Sequence, residues 1–343
     1  MADLLMDNNA CMVVGAAAWH GKGVRLDHPP STPEALRAAR LDWEVEKVPV
    51  YAHVPLEYPD SRNVSQSMKT TRSVKTNSFA TVRRDELGVP HVLGVVGRRY
   101  EVLQNREAFS VFDDLLLGRG CTYESAGAVR DGRRVWILAR IPDRFRVGGD
   151  EIRKYFLLVL SHDGSTPLIL RPTPVRVVCN NTLNIALGER GSSFAIKHLR
   201  GIRTRLSEVT EAITMADMDF EKARGHMERM AETKLEDPSA YFMRVMPGLA
   251  RWTDPKLKRN VWRQRMVDLT DLFHVGRGNA GKTVWDGYNA VTEWVDHKRA
   301  GDHWVEYTQF GGGDAIKRNA FAAAVDMTEK RTMVPVGMDA SRN

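Results

Sequence analysis

Apolar residues recur along this chain in two rhythms, and the rhythm changes near residue 200. Before that point the apolar runs are short and rich in β-branched and aromatic residues. The later part of 68–84, Val92–Val96, Tyr100–Leu103, Thr122–Val129, Arg134–Ile141, Tyr155–Leu160, Thr166–Arg171 and Ser193–His198 read as strands. Tyr-Phe-Leu-Leu-Val-Leu at 155–160 has no polar alternation, as expected of a strand buried on both faces. Asp131-Gly132 between two such runs predicts a β-hairpin, and Ser161-His-Asp-Gly-Ser165 predicts a second tight turn. Pro172-Thr-Pro174 then reads as the start of a helix running towards Leu187. Earlier helices are expected to run to Arg40, with Thr32 as N-cap and Pro33 at the first helical position, and to about Leu116, with Asn105 as the cap and Glu107 in the first turn. After residue 200 the spacing is helical: Arg205–Lys234, Thr283–Arg299 and Ala315–Lys330, with shorter helices punctuated by Pro238, Pro247 and Pro255.

These patterns predict an α+β fold: antiparallel β-hairpins with a packed helix, a β-β-β-α-like core, followed by a mainly helical C-terminal part. The expected divisions are an irregular segment 1–60, held extended by Pro49, Pro55 and Pro59, an α+β core at 61–200, and a helical region at 201–343 with a frayed tail after Met333.

Composition adds bounds. Of 343 residues, 43% are hydrophobic and 27% charged, the balance of a water-soluble globular protein. Cys11, Cys121 and Cys179 are far apart, which argues against a disulfide framework or zinc knuckle and for a reducing cytoplasm. The start Met-Ala-Asp-Leu-Leu-Met-Asp has no basic region, and no apolar run nears the ~18 residues of a membrane helix. The net charge of +7 is modest, so clustering matters more than the total.

Clustering is the better lead to function. Lys69, Arg72 and Lys75 fall in a segment with no acidic residue, and Arg83/Arg84, Arg98/Arg99 and Arg130/Arg133/Arg134 fall at strand ends or a hairpin tip. Arg171 and Arg176 are the only charges between Gly164 and Gly188, and Lys197, Arg200, Arg203 and Arg205 follow. Convergence of these cations on one groove would neutralise several phosphates of a nucleic acid. Phe79, Tyr100 and Tyr123 are candidate stacking platforms, whereas Trp136, in mid-strand, reads as core.

Three motifs compete. Gly276-Arg-Gly-Asn-Ala-Gly-Lys282-Thr283 satisfies the P-loop pattern. The residues before it read as the end of an amphipathic helix rather than a buried strand, and only 60 residues follow Thr283, so a loop capping the next helix is the expectation. A loop touching nucleic-acid phosphate through its amides and Lys282 is the alternative. His162 and Asp163, adjacent in a turn, are poorly placed to orient one another as base and partner. Trp19-His20-Gly-Lys-Gly is an unusual loop, suited to docking on the core or to stacking on a base. No histidine has metal-ligand spacing, so neither metal nor cofactor is expected.

Several motifs occur in order: Trp19-His-Gly-Lys-Gly23, Leu41-Asp-Trp-Glu-Val-Glu46, Val96 to Phe109, Ser161 to Ser165, Thr173 to Asn184 and Tyr288 to His297. Together they resemble the phage/plasmid-like proteins of a domain of unknown function. The resemblance implies a mobile genetic element in a bacterial host and carries no catalytic residues. A weaker similarity of topology connects the strands, Asp-Gly hairpin and helix with phage single-strand annealing proteins. The expectation is therefore a non-enzymatic, cytoplasmic protein that binds single-stranded DNA and anneals it without ATP, as a homo-oligomeric ring or filament. Lys69, Arg72, Lys75, Arg98, Arg99, Arg133, Arg134, Arg171, Arg176, Lys197 and Arg200 would be its nucleic-acid contacts. The alternatives are an interaction protein that counters host defence and, more remotely, an NTPase using Lys282 and Thr283.

Overall fold

The computed structural model describes residues 11–15, 23–60, 63–116, 119–176, 181–182, 194–202, 208–246, 259–299, 307–308 and 311–332. Its strands form two sheets, and the fold is α+β. The larger sheet has the order β10-β9-β8-β7-β6-β1-β2. These strands are β1 (Cys11–Val14), β2 (Val24–Leu26), β6 (Thr122–Val129), β7 (Arg134–Val147), β8 (Asp150–Ser161), β9 (Leu168–Arg176) and β10 (Asn181–Thr182). β11 (Phe194–Ile196) also pairs with β9. The smaller sheet is β3 (Val45–Asp60), β4 (Asn63–Arg84) and β5 (Pro90–Gly97), in that order.

The helices are α1 (Thr32–Ala38), α2 (Asn105–Leu116), α3 (Glu208–Glu232), α4 (Pro238–Val245), α5 (Arg259–Val275), α6 (Val284–Glu293), which continues as a π-turn to Arg299, and α7 (Gly312–Thr332). One cluster of buried apolar side chains runs from Met12 and Leu36 through Ile137, Phe156 and Leu158 to Phe220, Trp285, Tyr288 and Phe321. The helices after residue 200 thus share their core with the large sheet. Alternation along β7 explains this. Val135, Ile137 and Ala139 face the shared core, while Trp136 joins Cys11, Val129, Leu157 and Val159 on the opposite face.

Three expectations from sequence are corrected. Residues 45–60 are not irregular; they form a strand paired along its length with β4, so the expected boundary at residue 60 falls at the tip of a hairpin. Tyr100–Leu103 is not a strand, and only Tyr100 makes a bridge, to Leu199. Pro172 and Pro174 do not open a helix; they lie in β9 opposite Phe156 and Lys154 of β8. On its other edge β9 pairs with β11 at Leu168–Leu170 and with β10 at Val175–Arg176. Among the described residues the prolines lie between those two pairings, and a proline is tolerated in a strand where its absent amide faces no ladder partner. Val175–Arg176 continue β9 and Asn181–Thr182 form β10, so these parts of the expected helix are strand as well; the remainder, with Cys179, lies outside the described residues.

One turn went unread in the sequence. Gly148-Gly149 joins β7 to β8 as a two-residue loop with φ of +55° and +94°, a backbone that favours glycine. It sets Asp150 at the start of β8, where that carboxylate has a structural task described below.

Candidate nucleic-acid interface

The two sheets meet at a buried polar knot. The turn after β8 lies against β5 so closely that a Cβ on Gly94 would come within 2.6 Å of the Asp163 backbone. His162 in that turn is fully buried, and its amide donates to the Arg133 carbonyl at the β6–β7 tip (2.8 Å). Asn105, at the start of α2, donates its side-chain amide to the Leu41 carbonyl (2.9 Å). Its Oδ1 therefore accepts, and His162 donates from Nε2 (2.9 Å). The Trp43 ring stands edge-on to His162 at 5.2 Å, and His162 Nδ1 has no hydrogen-bond partner. Next to it, His198 is stacked on Tyr100 at 5.1 Å, and the Tyr100 hydroxyl donates to the Ser161 carbonyl (2.8 Å). Burial lowers the pKa of both histidines and raises that of Tyr100, so all three side chains are held neutral.

Above the knot the chain presents positive charge. The Tyr100–Leu199 bridge is antiparallel, and the Glu101 amide donates to the His198 carbonyl beside it. The same register sets Arg99 across from Arg200 and brings Arg98 and Lys197 to either side. All four side chains are exposed, and none has an ion-pair partner among the described residues. Lys47 reinforces the bend by donating to the Arg98 and Tyr100 carbonyls (both 2.8 Å) while lying 4.6 Å over the Phe79 ring. The carboxylates at hand are Glu101, which accepts from the Gly201 amide, and Asp163, which accepts from the Ser165 amide.

The other expected contacts go elsewhere. Arg72 and Lys75 are exposed on the β3–β4 ribbon. Lys69 belongs to β4 opposite Glu57, with its side chain outside the described residues. Arg133 is exposed on the β6–β7 tip. Arg134 is buried and donates to Ser165 Oγ (3.4 Å), so it offers nothing to a phosphate. Arg171 is neutralised by Asp314 of α7 at 3.2 Å. Arg176 is fully buried, 2.7 Å from the Asp150 carboxylate, and donates to Asn279 Oδ1 (3.1 Å). These three arginines tie the sheet together or to its helices and form no part of a groove. Tyr123 and Trp136 are buried as well, so neither is a stacking platform. Trp19-His20, Arg203 and Arg205 lie outside the described residues.

The glycine-rich loop is closed by its own helix. Asp286 of α6 accepts from the amides of Ala280 (3.2 Å), Lys282 (3.0 Å) and Thr283 (3.0 Å) and from the Thr283 hydroxyl (3.1 Å). Thr283 caps α6 in return, completing a capping box. Glu293 takes the Arg277 amide at 3.2 Å. The amides that would cradle phosphates already hold carboxylates, and α5 rather than a strand precedes the loop. Lys282→Ala is therefore expected to leave the thermal melt unchanged. Asp286→Ala should lower stability by about 2 kcal/mol in a denaturant titration, because several loop amides lose a charged acceptor.

A family model described as a domain of unknown function (DUF932) matches residues 92–331 of the 343. The chain belongs to this family. No curated protein and no solved structure matches it. The DUF932 segment contains the polar knot, the Tyr100–Leu199 bridge and the carboxylate-closed loop, and it begins after the β3–β4 hairpin. Among the described residues no helix is long and apolar enough to cross a membrane.

Sequence reasoning missed the knot because its members come from four separate stretches. The one available signal was polar residues, Asn105 and His162, at the edges of apolar runs.

Proposed function

We propose that the protein binds single-stranded DNA at the positive surface around the Tyr100–Leu199 bridge and promotes annealing of complementary strands. The observation that carries this reading is the grouping of Arg98, Arg99, Lys197 and Arg200, all exposed and without counter-ions among the described residues. Exposed cations grouped in this way would hold a sugar-phosphate backbone and leave base edges free to pair. No cofactor enters, since pairing supplies the driving force. One such surface covers only a few nucleotides, so the working form in the bacterial cytoplasm would be a homo-oligomer. The expected contact set is narrower than the sequence suggested, because Arg134, Arg171 and Arg176 are engaged internally.

The test is single-strand binding and nucleotide-free annealing as a function of salt. Arg98→Ala/Arg99→Ala/Arg200→Ala is expected to weaken binding by on the order of 10-fold or more. It should also flatten the plot of log affinity against log salt by about 0.7 per lost phosphate contact. Absent or salt-insensitive binding by the natural protein would end the proposal.

A further inference from the structure

We infer that the β3–β4 ribbon is a second nucleic-acid surface, one that enters the major groove of duplex DNA. β5 pairs with β4 only over Ser78–Arg84. Beyond that, β3 and β4 continue as two strands alone, with Tyr51–Asp60 paired back to Asn63–Lys75. At ~3.3 Å per residue the projecting part is about 30 Å long. Tyr51–Pro55 and Thr70–Lys75 are exposed throughout, so both faces of the ribbon meet solvent. An ordinary sheet buries one face; Tyr51–Pro55 and Thr70–Lys75 bury neither.

Its chemistry is that of a polyanion's partner. No acidic residue occurs in Val48–Leu56 or in Thr70–Ser78. The second stretch, Thr-Thr-Arg-Ser-Val-Lys-Thr-Asn-Ser, sets hydroxyl and amide donors around two cations. Arg72 and Lys75 have no ion-pair partner among the described residues. Register puts them on opposite faces: Lys75 pairs with Tyr51 beside His53 and Ser73, and Arg72 pairs with Val54 beside Ala52 and Val74. A flat anionic surface would use one face only. A groove with a phosphate wall on either side uses both.

The dimensions agree. A β-layer is about 10 Å from face to face, and the major groove of B-DNA is about 12 Å wide and admits a two-stranded ribbon. The major groove of A-form RNA is too narrow and deep for one. Exposed Tyr51, Val54 and Val74 are apolar groups suited to thymine methyls and sugars. Strand addition by a second copy along β3 is disfavoured, because Pro55 and Pro59 remove donors from that open edge.

The ribbon lies outside the DUF932 segment and the cluster at the Tyr100–Leu199 bridge lies inside it, so the two surfaces are tested separately. Full-length protein carrying Arg72→Ser/Lys75→Ser is titrated with a 20-base-pair DNA duplex, one of its single strands, and an RNA duplex of the same sequence. Both positions are exposed, so the thermal melt should match the parent. Duplex-DNA affinity is expected to fall on the order of 10-fold, with a salt slope shallower by about 1.8 for two lost contacts. Single-strand affinity should be unchanged, and the RNA duplex should bind the natural protein more weakly than the DNA duplex. Arg98→Ala/Arg99→Ala should show the converse, losing single strand and retaining duplex. Unchanged duplex affinity in the ribbon variant, an equal loss for both DNA forms, or equal binding of the two duplexes would overturn the assignment.

Discussion

Arg176→Ala is expected to lower stability by about 3–5 kcal/mol, the cost of leaving one member of a buried ion pair alone. Arg176 has no exposed surface, and the Asp150 carboxylate, 2.7 Å away, has little. Asp150 also accepts from the Trp285 indole (2.8 Å), while Arg176 donates to Asn279 (3.1 Å) and lies 6.0 Å over the Trp285 ring. One pair thus joins β8, β9, the loop before α6 and α6 itself. Without the guanidinium, Asp150 must be hydrated in the interior or protonated. Equilibrium denaturation of Arg176→Ala measures the loss, and adding Asp150→Asn should recover part of it, because no bare charge then remains. An Arg176→Ala protein as stable as its parent would show that this contact does not hold sheet to helices.

Acid should unfold the protein through the knot between the sheets. Burial pushes His162 down to about 3, with His198 acting in the same direction and Asp163 opposing. An unfolded histidine titrates near ~6.5. Between those values the unfolded chain takes up a proton that the native state refuses. The stability from a neutral His162 is therefore complete above about pH 6.5 and is lost as pH falls, at about 1.4 kcal/mol per pH unit, until the native ring titrates. The cause is geometric. Nε2 already donates to Asn105, and a proton on Nδ1 would find no acceptor. Denaturant titrations at pH 7 and pH 5 should differ by about 2 kcal/mol from this group. His162→Gln can still donate to Asn105 and should flatten the dependence by close to one proton. The same pH slope in parent and variant would refute the assignment.

Some of this was written locally in the chain. Asp131-Gly132 marks the β6–β7 tip because Asp131 and Gly132 there adopt φ of +57° and +93°, backbone those residues tolerate. Thr283 and Asp286, three residues apart, form the capping box that keeps the glycine-rich loop from being a phosphate site. The apolar run 155–160 became a strand with no exposed residue. Each outcome depends on neighbours within a few positions, and such patterns survive in a one-dimensional reading.

What the fold alone decided was which charges are free. Arg171 and Arg176 stand in an acid-free stretch, yet their carboxylates arrive from Asp314 and Asp150, 143 and 26 residues away. Arg98 and Arg99 look no different in sequence, yet among the described residues they have no ion-pair partner, and the Tyr100–Leu199 bridge sets Lys197 and Arg200 near them. Pro172 and Pro174 read as a helix start, but pairing with β8 made them part of a strand, between the described pairings of β10 and β11. Local composition chose hairpins, caps and buried strands, since those answer to adjacent backbone. Long-range packing chose ion-pair partners, because a Coulomb contact depends on distance in space and not along the chain.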